Sequence, residues 1–149
     1  MAYMNQEKKK VLAPQIKAVL KKYGVKGSIS VRNHSTLVVT LREVPASWVE
    51  AQHQRDIQRW ERVHADTGWA GNKPERSLHW EYNPYHPINE DDPQGEGEAE
   101  FVKEMLSAMN GVGTEEENFD KSDSMTDYFH VGWYVNLSVG RWDKPVKVA

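Results

Sequence analysis

Apolar residues return at helical spacing early in the chain. Leu12, Ile16, Val19, Leu20 and Tyr23 form one stripe, Lys10, Lys17, Lys21 and Lys22 lie off it, and Gly24 is placed to end the element. Pro14 is costly inside a helix but tolerated in its first turn, so the regular helix is expected from about Ala13, after a looser basic lead. The period then changes from helical to alternating. Ile29 and Val31, then Leu37, Val39 and Leu41, alternate with polar neighbours on either side of Asn33-His34-Ser35. This predicts a hairpin. The odd-numbered residues of both strands share a face when paired residues differ by an even number, for example Val31 with Leu37 and Ile29 with Val39, which favours a three-residue loop over 33–35.

Ser47 followed by Glu50 has capping-box spacing and predicts a second helix from about Trp48 to Ala65. Val49, His53, Ile57, Trp60 and His64 form its inner face, and Arg55, Arg59 and Arg62 line another side. Residues 68–97 hold four Pro and four Gly with no sustained period, which predicts a long irregular excursion. A third helix is marked by Phe101, Val102, Met105, Leu106 and Met109. Glu98 and Glu100 suit its start, and Asn110-Gly111 suits its end. The last element alternates most cleanly, with Val131, Trp133, Val135, Leu137 and Val139 on one face. The expected order is α-β-β-α-loop-α-loop-β: a single α+β domain over residues 1–149, its three helices packed on a three-stranded antiparallel sheet.

Length and composition narrow the setting. At 149 residues one core is expected, rich in its six Trp and six Tyr. With no cysteine, disulfides and Cys-based zinc sites are excluded, and a reducing compartment is expected. No apolar run reaches membrane-span length and the N-terminus lacks a signal-peptide core, so the protein is expected in the cytoplasm, away from membranes.

Charge is distributed unevenly. Residues 1–43 carry nine Lys/Arg against two Glu, whereas residues 81–127 carry fourteen Asp/Glu against two Lys, hidden behind a formal total of −3. Such asymmetry bears on partners more than on a reaction. The acidic block would steer a basic protein partner, with Glu115, Glu116, Glu117, Asp120 and Asp123 as the preferred contacts and Trp80, Tyr82 and Tyr85 as aromatic anchors. In the alternative, Lys10, Lys17, Lys21, Lys22 and Arg32 meet the phosphates of a single-stranded or structured nucleic acid.

Motifs for chemistry fare poorly. His53 and His64 share a helix side but stand about 16 Å apart along it, too far to ligate one ion. His79 and His86 flank Glu81 without a spacing that fixes a site. A calcium loop starting at Glu90 would put Phe101 where the bidentate carboxylate belongs. Neither a Walker-type glycine loop nor a dinucleotide fingerprint is present, and no G-x-S-x-G elbow supports a triad. No cofactor or metal is therefore expected, and a binding protein is favoured over an enzyme.

Two stretches carry a resemblance. VLAPQIKAVLKKYGVKGSISVRNHSTLVVTL and NFDKSDSMTDYFHVGWYVNLSVGRWDKP resemble short accessory proteins of tailed bacteriophages and plasmids, and are similar to an associated domain of their large polyvalent proteins. The matching residues are Ser30, Val31, Arg32 and His34, then Asp120, Asp123, Thr126, Asp127 and Tyr128, whereas residues 43–115 do not match. The resemblance implies an α+β module in a bacterial host cell that binds a host protein or defence complex stoichiometrically, as a counter-defence inhibitor does. It also hints that Arg32, His34, Asp127 and His130 converge, the one arrangement an enzymatic reading would need.

Overall fold

A computed structural model describes residues 2–69, 71–118 and 132–149. Helix α1 (Gln6–Tyr23) starts well before Ala13, because Asn5 caps it: the Asn5 side chain accepts from the Lys8 amide at 2.8 Å. Pro14 sits inside the helix and deletes one amide from its ladder, while the burial of Leu12, Ile16 and Leu20 holds the helix together. Gly24, at φ 65°, ends it.

Strands β1 (Lys26–Arg32) and β2 (Thr36–Val44) form the expected hairpin, with Val31 opposite Leu37 and Ile29 opposite Val39. Asn33 and His34 both take positive φ in the loop, and the Ser35 amide donates to Arg32 O at 3.2 Å. Near the other end, Lys26 pairs with Glu43 but Gly27 with Leu41, so Arg42 is an extra residue in β2. This bulge shifts the alternation, and Val44 rather than Glu43 is buried.

Helix α2 (Ala46–Thr67) begins two residues earlier than Ser47-Glu50 implies. Pro45 is its N-cap, and the Trp48 amide donates to Pro45 O. Trp48, Val49, Ala51 and Gln52 are buried, whereas His64 and the rest of the last turn project into solvent. The excursion after α2 is not wholly irregular: it contains β3 (Trp80–Tyr82). Helix α3 (Glu98–Met109) buries every residue of its expected stripe. β4 (Tyr134–Val139) and the short β5 (Lys147–Val148) complete the described elements. Trp133, Leu137 and Val139 are buried as the alternation requires, and Val131 lies outside the described residues.

The sheet differs from expectation. It is mixed and five-stranded, in the order β1-β2-β4-β3, with β5 continuing along β2 beyond β4. β4 runs parallel to β2, placing Leu37 beside Val135 and Val39 beside Leu137. Parallel pairing follows from chain topology, since β4 returns only after two helices, and no local pattern announces it. α1 and α3 lie against each other over the face bearing Leu37, Val39, Leu41, Leu137 and Val139. Among the described residues, no helix packs on the other face.

A buried polar cluster ties the second half together. The Glu98 side chain is fully buried and accepts from Arg55 at 2.9 and 2.7 Å, from the Tyr82 hydroxyl at 2.6 Å and from the Gly95 amide at 3.0 Å. Arg55 also donates to Pro93 O and to Gln52 Oε1. Glu98 is thus removed from the acidic surface, and Arg55 from the solvated side of α2. Burial, followed by the nearby negative charge of Glu98 and its hydrogen bond, raises the Tyr82 phenol well above its ordinary value. A raised phenol keeps its proton in the folded chain at pH values where the unfolded chain releases it. Its stabilising contribution is therefore complete below about pH 10 and disappears as pH climbs through the folded value. Urea midpoints should fall above about pH 10 for the native sequence and fall less there for Tyr82→Phe.

Candidate functional site

The face of the sheet opposite α1 and α3 brings polar residues from four strands into register. One row is Arg32, Thr36 and Tyr134, the next is Ser30, Val38 and Asn136, and the third is Ser28, Thr40, Ser138 and Glu81. The alternation that turns Leu37, Val39, Leu41, Leu137 and Val139 to the core places these residues on the opposite face, where Thr36 and Val38 are themselves buried and the others are half-buried or exposed. Short hydroxyl side chains leave the surface low. Tyr134 stands out of it with 43% exposure, and Ser138 donates to Asn136 Oδ1 at 2.5 Å.

Two grooves cross this face. The first, about 730 Å³, is floored by Ser28, Ser30 and Thr40, and Lys26, Arg42, Arg141, Lys144 and Lys147 surround it, with Glu43 as the one carboxylate among the described residues. The bulge puts both Arg42 and Glu43 on this groove, and Lys26 pairs with Glu43 at 3.2 Å. The second groove, about 540 Å³, adjoins the first through Ser30, Thr40, Gly140 and Arg141. Its lining balances Arg32 and Arg141 against Glu81 and Asp143, with Asn136, His79 and Trp142 alongside.

The Arg141–Lys144 turn stands at the junction. Arg141 and Lys144 exchange backbone hydrogen bonds of 2.9 and 3.1 Å, and β5 follows two residues on. Gly140 enters the turn at φ 64°, where an added Cβ would lie 2.5 Å from Leu78 O and 2.7 Å from Val146 N. No residue with a side chain fits there without moving backbone. The cations of the turn are therefore placed by rigid neighbours.

The residues singled out from sequence fall in different places. Arg32 and His34 are exposed at the hairpin loop, and their proposed partners Asp127 and His130 lie outside the described residues. Lys10, Lys17 and Lys21 are exposed on α1, away from the grooves. Lys22 is committed elsewhere: it donates to Glu104 at 2.6 Å, and Tyr23 donates to the other oxygen of the same carboxylate. These bonds raise Lys22 and Tyr23 and lower Glu104 from their ordinary values. Basic and acidic blocks thus meet between α1 and α3 instead of facing wholly apart.

Trp80 and Tyr82, expected as partner anchors, are 7% and 6% exposed and belong to the core, because β3 pairs with β4 and turns both rings inward. Tyr85 is 66% exposed. Glu115 and Glu117 are exposed and Glu116 is half-buried, while Asp120 and Asp123 lie outside the described residues. Among the described residues, no three His, Asp or Glu side chains are grouped to hold a metal ion, and no helix is long and apolar enough to cross a membrane.

Arg42, Arg141, Trp142, Lys144 and Lys147 escaped the sequence reading. Alternation in β2 carries a usable signal for Arg42, but only the long-range pairing of β4 and β5 with β2 brings the others beside it. No protein-family model matches the chain, and neither a curated protein nor a solved structure matches it.

Proposed function

We propose that the protein binds nucleic acid through the face of its sheet opposite α1 and α3. One observation carries the reading: five cations surround one carboxylate on a groove floored by hydroxyls, a lining suited to phosphate. The alternative that placed the interface on α1 keeps Arg32 but loses Lys22 to Glu104. Binding of a fluorescent oligonucleotide tests it. If about three phosphates are neutralised, log K should fall with log salt at a slope near −2. The double reversal R42E/R141E should weaken binding at least tenfold and flatten that slope. Unchanged binding in that variant, with loss on reversal of Lys10, Lys17 and Lys21, moves the interface to α1. Absence of binding at low salt rejects both versions.

A second reading keeps the acidic side for a basic host protein, in the mobile-element setting that the chain's ends resemble. Its support is the exposure of Glu115, Glu117 and Tyr85. The burial of Glu98 and the pairing of Glu104 thin the acidic surface, so this reading takes second place. Reversal of Glu115–Glu117 to lysine should leave oligonucleotide affinity within about twofold if the sheet face is the interface, since none of the three lines either groove.

A further inference from the structure

We infer that the second groove is a base pocket, in which one unpaired base lies against the indole of Trp142 while its phosphate occupies the adjoining cationic groove. The inference rests on the reading of this face as a nucleic-acid interface, and it narrows the ligand to a single strand.

The two grooves share a border but differ in chemistry. The first gathers cations, whereas the second offers cationic donors, the carboxylate acceptors Glu81 and Asp143, and the amide of Asn136 within one lining. A phosphate would meet repulsion from those carboxylates. A base edge presents donors and acceptors together, so a mixed lining suits it. Trp142 supplies the ring. It borders this groove and is 84% exposed, the largest exposure of any bulky hydrophobic side chain among the described residues.

That exposure sits on a constrained backbone. Trp142 occupies the turn closed by the mutual hydrogen bonds of Arg141 and Lys144, entered through Gly140 with no room for a Cβ. A ring held on such a turn loses little backbone freedom when a base stacks on it. Tyr134 is exposed in the far row, across Thr36 from Arg32. A duplex keeps its base faces stacked on one another, so it can fill the cationic groove but not the pocket. Single strands offer both groups.

The test compares a fluorescent single strand of about eight nucleotides with the matched duplex and with a free mononucleotide, for the native sequence, W142A and W142F. Loss of one stacking partner should weaken single-strand binding about 5- to 150-fold in W142A, with much of it kept in W142F and the salt slope unchanged. Tryptophan quenching on binding should drop in W142A. Equal affinity of W142A and the native sequence, or equal affinity for duplex and single strand, overturns the base pocket. Competition by the mononucleotide at equal concentration assigns the groove to a free nucleotide and overturns the single strand. If R42E/R141E loses binding while W142A does not, the pocket falls and the interface stands. If the native sequence binds no oligonucleotide at low salt, both fall.

Discussion

Glu98→Ala should destabilise the fold by about 3–5 kcal/mol, because it leaves the Arg55 guanidinium largely buried without its counter-charge. The cost comes from what remains behind. Arg55 is only 12% exposed at its side chain, while Tyr82 and the Gly95 amide lose their acceptor at the same time. Three segments separated in sequence would loosen together: α2, β3 and the approach to α3. Glu98→Gln keeps the shape and two of the acceptor contacts but not the charge, and should recover only part of the loss. Urea denaturation with a far-ultraviolet probe checks the order native, Gln, Ala. Equal stability of all three would mean that Arg55 finds solvent or another acceptor.

Trp48→Ala is expected to cost a similar amount, about 3–5 kcal/mol, by a different route. Its ring is 1% exposed, packs on Phe101 at a centroid distance of 5.0 Å, and donates from Nε1 to Glu96 O at 2.8 Å. With the Arg55–Glu98 pair it links α2 to the rest of the core, and from Glu61 on that helix projects into solvent. Truncation opens a void and orphans a carbonyl that lies beside Gly95, whose backbone approaches the ring so closely that a Cβ there would sit 2.5 Å from the Trp48 Cδ1. Calorimetry should show the loss in the transition, and proteolysis should cut first in α2. A variant cut no faster than the native sequence would show that α2 is held by other contacts.

The hairpin and α3 were legible because their information is local. Val31 and Leu37 sit six residues apart with a turn between them, and the Phe101-to-Met109 stripe repeats within one helix. Glu98 misled for the same reason: a glutamate in the first turn of a helix is ordinarily solvated, and only Arg55, forty-three positions away, makes it a core residue. Trp80 and Tyr82 flank an outward Glu81, a strand pattern too short to stand out among the surrounding prolines. Arg32 could be flagged from the hairpin alone. Arg141 and Lys147 could not, because their nearness to Arg42 depends on which strands sit side by side.

The parallel partnership of β2 and β4 also sets the kinetics of folding. The hairpin can close within microseconds, but β2 must wait for residues almost a hundred positions downstream before its second edge is covered. Until then Leu37, Val38, Val39 and Leu41 form an apolar strand with one bare row of amides and carbonyls, a template for pairing with another chain. Refolding yield should therefore fall as protein concentration rises, because the last closure competes with intermolecular strand pairing.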